Sequence, residues 1–362
     1  MEVGMVIVMQ GFGYEGLSDA GVYEQELELA LLAEAQGLDH IWVVEHHFED
    51  YAFCPDNFMY LAYLAARTKK IRLATGAVIL PWHAQPLRVA EKAAMLDNLC
   101  DGRLIFGLGR GLSRFEFEGF GIEMGESRER FDEAAPMVLD ALETGWMAEH
   151  EGKFFRQKRV PLRPPPTRSF VGRRFQVAMS PDSAEQAAKL GLPIMAFSIK
   201  PREVEKAEFE DYRKHFHAYN DGAEPPPPFL ADLMICDSDA DRARDNAQRY
   251  CAGYLQSVLR HYELMSDHFE KVGGYDTYGQ NAQALREIGL DDYVKNYVNL
   301  QSWGTPDQML RRFEERRALF GEFGIQGIFR FAGLPMEDAR RSLELFGKEV
   351  LPVLRTWGNA NA

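Results

Sequence analysis

Four glycines constrain this chain more than any other feature. They stand in Gln36-Gly37-Leu38, Asp101-Gly102-Arg103, Leu190-Gly191-Leu192 and Phe323-Gly324-Ile325, each at the end of a helical pattern and each followed at once by an apolar run. Glycine enters the left-handed conformation without steric cost, so it can close a helix ahead of a tight loop. One such junction means little. Four of them, alternating with strands, predict repeated βα units and a parallel sheet. The apolar runs are Val3–Gln10, Ile41–Val44, Ile71–Leu80, Arg103–Leu108, Phe175–Met179, Ile194–Ser198, Phe229–Ile235 and Ile325–Phe331. Eight is the count of a (β/α)8 TIM barrel, whose strands are buried on both faces and read as continuous hydrophobic runs.

The 362 residues are expected to form a single barrel domain over 1–362, with three insertions. The first, about 145–174, contains Pro164-Pro165-Pro166 and reads as a hairpin or loop. The second, about 201–228, is an amphipathic helix followed by four prolines. The third, about 237–304, begins as a charged helix and becomes rich in glycine and tyrosine near 273–279. It falls between the seventh strand and its helix, where it serves either as a mobile lid over the barrel mouth or as a packed excursion. Thr305-Pro306 then reads as a helix start, with Thr as N-cap and Pro at the first helical position.

Charge and composition narrow the partners. The net charge of −14 argues against nucleic acid or an anionic membrane surface. It also requires that any anionic cofactor be held by a local cationic pocket. No apolar run approaches the roughly 20 residues needed to span a bilayer. The start Met1-Glu2-Val3-Gly4 reads as a first strand and not a signal peptide. Cys54, Cys100, Cys236 and Cys251 are scattered, so a cytoplasmic location is the expectation.

The chemistry collects at the predicted strand ends. The second strand runs into Glu45-His46-His47-Phe48. Adjacent strand residues point to opposite faces, so at most one of His46 and His47 faces the barrel axis. That disfavours a two-histidine metal site, and no metal is expected; a single imidazole acting as base or donor fits better. Gly76-Ala77, in the third strand, leaves almost no side chain, which suits either a flat ring against the backbone or tight barrel packing. Arg110 lies between Gly109 and Gly111 after the fourth strand, placed to fork a phosphate or to bridge to a carboxylate. Ser180-Pro181-Asp182-Ser183 follows the fifth strand and opens a helix, which makes it a phosphate seat or an ordinary cap.

Read together, these residues resemble the bacterial luciferase-like family of flavin-dependent monooxygenases, nearest its alkanal monooxygenase α-subunit group. The resemblance spans nearly the whole chain. It is carried by Glu45-His46-His47-Phe48, by residues 75–81, by Gly102–Gly107 with Arg110-Gly111-Leu112, by Val177-Ala178 with Ser180 and Ser183, by Gly304-Thr305-Pro306, and by residues 345–352. It implies reduced FMN (FMNH2) at the barrel mouth, supplied by a separate NAD(P)H:flavin reductase. Dioxygen as co-substrate would give a C4a-hydroperoxyflavin that oxygenates a small organic substrate. His46 and His47 match catalytic positions. Arg110, Ser180 and Ser183 match holders of the flavin phosphate, Gly76 and Ala77 match the prop beneath the ring, and Glu45, Gly109 and Met179 match neighbouring cofactor positions. The segment about Tyr262–Asn299 matches a mobile lid, and a homodimer is implied. Gly109 replaces a reactive cysteine, and Met179 replaces an acidic residue. The expectation is therefore a monooxygenase that does not emit light and whose aldehyde preference is not carried over. The alternatives are an F420-dependent oxidoreductase on the same barrel, a metal-dependent hydrolase, and a non-catalytic flavin-binding protein.

Overall fold

The computed structural model describes residues 1–273, 275, 278–279 and 289–357. Eight parallel strands close on themselves: β1 (Val3–Ile7), β2 (His40–Val43), β3 (Arg72–Thr75), β4 (Leu104–Gly109), β5 (Arg174–Val177), β6 (Ile194–Phe197), β7 (Phe229–Cys236) and β8 (Gly324–Ile328). Consecutive strands pair in order, and β8 returns to β1 with Val3 opposite Ile325. This is the (β/α)8 barrel that the alternation of glycine junctions and apolar runs predicts. Every residue of β1 and β2 is buried, as the outer ring of helices requires.

Local chemistry sets the outer ring. Helix α1 (Asp19–Gln36) starts where the Ser18 side chain accepts from the Gly21 N–H, and it stops at Gly37 with φ 84°. Helices α2 (Asn57–Arg67) and α3 (Pro86–Leu99) follow, and left-handed Gly102 and Gly191 serve as expected. The fourth glycine does not. The helix before β8 ends at Phe320 with Gly321, and Gly324 is the first residue of the strand. A Cβ on Gly324 would lie 2.3 Å from the Phe229 ring, so close packing explains that glycine.

The third strand is also shorter than its apolar run. It leaves the barrel after Thr75 at the cis peptide Gly76–Ala77, and Val78–Ile79 then pairs with the end of β4. After β4 come α4 (Arg114–Gly119) and α5 (Ser127–Thr144). The insertion near 145–174 forms two small antiparallel pairs. Helix α6 (Pro181–Lys189) follows β5, and α7 (Arg202–Tyr219) precedes the prolines. After β7, α8 (Ala240–Asn246) passes through a π-helical turn into α9 (Ala252–His261), and α10 (Leu290–Leu300) returns the chain to the barrel. The part of the expected lid at 274, 276–277 and 280–288 lies outside the described residues.

The barrel floor is solid. Trp42 packs 4.0 Å from Phe175 and 5.0 Å from Phe229, and its indole N–H donates to His40 Nδ1 at 2.8 Å. Glycines make the room: a Cβ on Gly4 would meet His40 at 1.9 Å, and one on Gly107 would meet Phe175 at 2.0 Å. With the lower half filled, open space remains at the C-terminal ends of the strands.

Candidate active site

A cavity of about 420 Å³ occupies that end, within the range of small-molecule sites. Of the residues singled out from the sequence, Glu45, His46, Gly76, Ala77, Gly109, Arg110, Met179 and Ser183 line it. His47 does not, and Ser180 lines a small recess beside it.

The two histidines do not extend β2, contrary to the expectation of one strand running through them. β2 ends at Val43, and His46–Glu49 pairs antiparallel with Ala52–Cys54. Their side chains still diverge, because this short segment is itself a strand. His46 turns to the cavity, with Nδ1 3.0 Å from Glu116 Oε1 and Nε2 3.4 Å from the Tyr262 hydroxyl. His47 turns outward, its ring 4.7 Å from Phe120 and its Nε2 3.6 Å from Glu45 Oε1.

Each histidine leans on a different buried carboxylate. Glu45 accepts from the Trp82 indole at 2.6 Å and from the Ile79 N–H at 3.1 Å, and it lies 3.2 Å from His83 Nε2. Burial pushes its carboxyl up, but the charge of His83 and hydrogen bonds from His47, His83 and Trp82 outweigh this and hold it at about 2. Glu45 thus ties the 79–83 wall to the histidine pair. Glu116 Oε1 also accepts the His47 backbone N–H at 2.7 Å, and Glu116 Oε2 lies 3.8 Å from His261 Nε2. Burial raises its carboxyl, while His46 and His261 outweigh burial and hold it at about 2. His261 Nδ1 in turn sits 2.6 Å from Glu49. His46, Glu116 and His261 bring atoms of metal-ligand type within 4.8 Å of one another. Both Nδ1 atoms are already engaged with glutamates.

The opposite end of the cavity is cationic. The Arg110 guanidinium lies 4.0 Å over the Tyr275 ring. Close by, Arg128 has a buried Nη2 with no hydrogen-bond partner among the described residues. Burial lowers its affinity for a proton, and the charge of Arg110 lowers it further. Ser180 caps α6, and Ser183 completes a capping box with a 2.9 Å contact between the two hydroxyls. Two neighbouring guanidiniums, one incompletely satisfied, beside a helix N-terminus are what a phosphate dianion would complete. Between the two ends, Gly76, Ala77 and Gly109 leave a wall with almost no side chain. A Cβ on Gly109 would come 3.0 Å from Ile79, so a cysteine there would crowd this wall. The residues therefore fit a flat ring carrying a phosphate.

Glu116, Arg128 and His261 escaped the sequence reading, and Tyr262 and Tyr275 entered it only as parts of the expected lid. Arg128 stands in the first turn of α5, where nothing in the local sequence marks it as a ligand. His261 and Glu116 are 145 positions apart, and no local pattern joins them. Tyr275 donates to the Gly111 carbonyl at 3.1 Å and meets the Ser127 hydroxyl at 2.8 Å, so the insertion is tied to the cationic end.

Comparison with known proteins agrees with this geometry. The family model described as luciferase-like monooxygenase matches residues 1–322. The alkanal monooxygenase α chain of Photorhabdus luminescens is 25% identical over 93% of this chain and 94% of its own length. The oxygenase component of the flavin-dependent trigonelline monooxygenase of Acinetobacter baylyi is 30% identical over 61% of each chain. The crystal structure of the monooxygenase RslO1 from Streptomyces bottropensis superimposes with a TM-score of 0.80 at 30% identity, covering 98% of this chain and all of that one.

Proposed function

This chain belongs to the luciferase-like monooxygenase family and is a flavin-dependent monooxygenase, and from that premise we propose that it is the FMNH2-using oxygenase component of a two-component system. The observation that carries the proposal is the pairing of a cationic seat at Arg110 and Arg128 with a side-chain-free wall that ends at His46. Reduced FMN, when bound, would supply two electrons to dioxygen, so that one oxygen atom enters the substrate and the other leaves as water.

The chain's own residues do the rest. Arg110, Arg128 and Ser183 would hold the phosphate, with Ser180 shaping the helix end beneath it. Gly76, Ala77 and Gly109 would let the ring lie against backbone. Glu116 fixes the His46 ring through Nδ1, so Nε2 is the atom that gives or takes a proton in the cavity. Trp82, Phe117 and Tyr275 form an apolar cluster beside it that would limit water. Glu45, from the cavity lining, and His47, from behind it, would support this wall.

A separate NAD(P)H:flavin reductase as partner is supported by the name of the Acinetobacter relative, an oxygenase component. A homodimer is supported by an exposed apolar face on α2 and α3, at Met59, Tyr63, Met95 and Leu99. A reducing, cytoplasmic setting is supported by four buried, unpaired cysteines. No described helix is long and apolar enough to cross a membrane.

The test is aerobic turnover with a generic flavin reductase, NADH and 18O-labelled dioxygen against aldehydes, ketones and aromatics. Product heavier by one labelled oxygen is the expected result. Turnover that needs F420 and proceeds without oxygen would instead establish hydride transfer. FMN binding without any oxygenated product would establish a non-catalytic role.

A further inference from the structure

Two helix faces close the cavity from above. Tyr254, Val258 and Tyr262 recur every four residues along α9 and its end, while Tyr293, Asn296, Tyr297 and Leu300 follow the spacing of one face of α10. Such faces ordinarily pack into a core, but here they line open space. Part of the set is internally engaged: the Tyr51 and Tyr254 hydroxyls are 3.4 Å apart, and Tyr262 reaches His46. The hydroxyls of Tyr293 and Tyr297 and the amide of Asn296 make no hydrogen bond to another described residue; Tyr297 is buried, Tyr293 is half-buried, and Asn296 is exposed at the rim of the cavity. Burial pushes both phenols up, so they remain neutral groups able to donate and accept. Lys200, the cation on this side, already binds the Met179 carbonyl at 2.9 Å and Glu208 at 2.5 Å, so no anionic substrate group is required.

A polar group that a ligand shuts off from water without giving it a partner costs about 1–3 kcal/mol. A straight alkyl chain seated against these helices would leave the two phenols unanswered, whereas a ring bearing hydroxyl or keto oxygens would answer them. Tyrosine faces and edges also suit a flat ring. We propose that the organic substrate is a flat aromatic molecule carrying hydroxyl or keto oxygens, a phenol or quinone, held by Tyr293, Asn296 and Tyr297, and not a straight-chain aldehyde. This deepens the flavin reading above and rests on it. Tyr262, in contact with His46, marks the end of the substrate pocket where the imidazole works.

The test is calorimetric titration of the flavin-free protein and of the protein saturated with oxidised FMN. The probes are 1,5-dihydroxynaphthalene, naphthalene and decanal. The dihydroxynaphthalene is expected to bind at least about tenfold more tightly than either of the others. A Tyr293→Phe, Tyr297→Phe double variant should lose most of that advantage, with unchanged affinity for naphthalene and for FMN. Equal affinity for all three probes, tighter binding of decanal, or a double variant that keeps the preference would overturn the proposal. If the double variant does not fold, Asn296→Ala gives the same readout. Failure of FMN to bind while the hydroxyl preference persists would overturn the flavin reading and uphold the substrate class.

Discussion

Arg128 holds a buried guanidinium nitrogen without a hydrogen-bond partner among the described residues, and such a group is costly until an anion arrives. Replacing it with methionine keeps much of the stem's packing and removes the charge. FMN should then bind about tenfold or more weakly, and riboflavin, which lacks the phosphate, should be unaffected; equal losses for both would reject the phosphate seat. For His46→Ala the reverse split is expected. Flavin affinity should be spared, while product formed per NADH consumed falls by about tenfold or more and hydrogen peroxide rises. Unchanged coupling would remove His46 from the chemistry. Glu116 makes a prediction in pH. Its carboxyl is held at about 2 against an ordinary 4.5, so its charged form stabilises the fold above pH 4.5, and that contribution is lost as pH falls toward 2. Glu116→Gln should flatten this acid limb, by no more than about 3 kcal/mol, in denaturant midpoints measured across pH. His46 and Arg110 were legible because each stands at the end of an apolar run beside glycine or another functional group. Glu116 and His261 were not, because a partner 145 positions away leaves no trace in a local pattern.

At the scale of elements, short-range chemistry proved the most readable. Thr305 caps its helix and Pro306 takes the first position, as the sequence predicts, and Gln308 adds the second half of a capping box. Two misreadings have different causes. The Glu45–Phe48 run looked like one strand with β2, but a local hairpin with Ala52–Cys54 takes it out of the barrel. Gly324 looked like a helix cap, but its deciding contact, the Phe229 ring, comes from elsewhere in the chain. Tyr275 shows what such a distant contact does. Its ring backs Arg110, and its hydroxyl joins Gly111 to Ser127. Tyr275→Phe keeps the ring and drops both hydrogen bonds. A loss of about 1–2 kcal/mol is expected, together with faster FMN release in stopped-flow experiments; release at the native rate would show that Tyr275 does not hold the cationic end together.

The whole molecule carries two features that no single element explains. On its outside, Met59 is 73% exposed, Leu99 59%, Met95 55% and Tyr63 48%, and all four lie on the neighbouring helices α2 and α3. A stripe of this kind invites a second copy of the chain. A Met59→Lys, Met95→Lys variant should sediment as a monomer if the native protein is a dimer through this face, with its barrel intact by circular dichroism. Inside, the floor of Trp42, Phe175, Phe229 and His40 stops the barrel at its lower end, so that among the described residues the cavity opens at the C-terminal ends of the strands. Traffic through one doorway has to queue, and the guest seated deepest must be first in and last out. Dead-end inhibition patterns should therefore show turnover only when the cofactor enters ahead of the organic substrate, with substrate bound to the flavin-free protein standing in the cofactor's way, so that productive turnover runs in an order imposed by architecture.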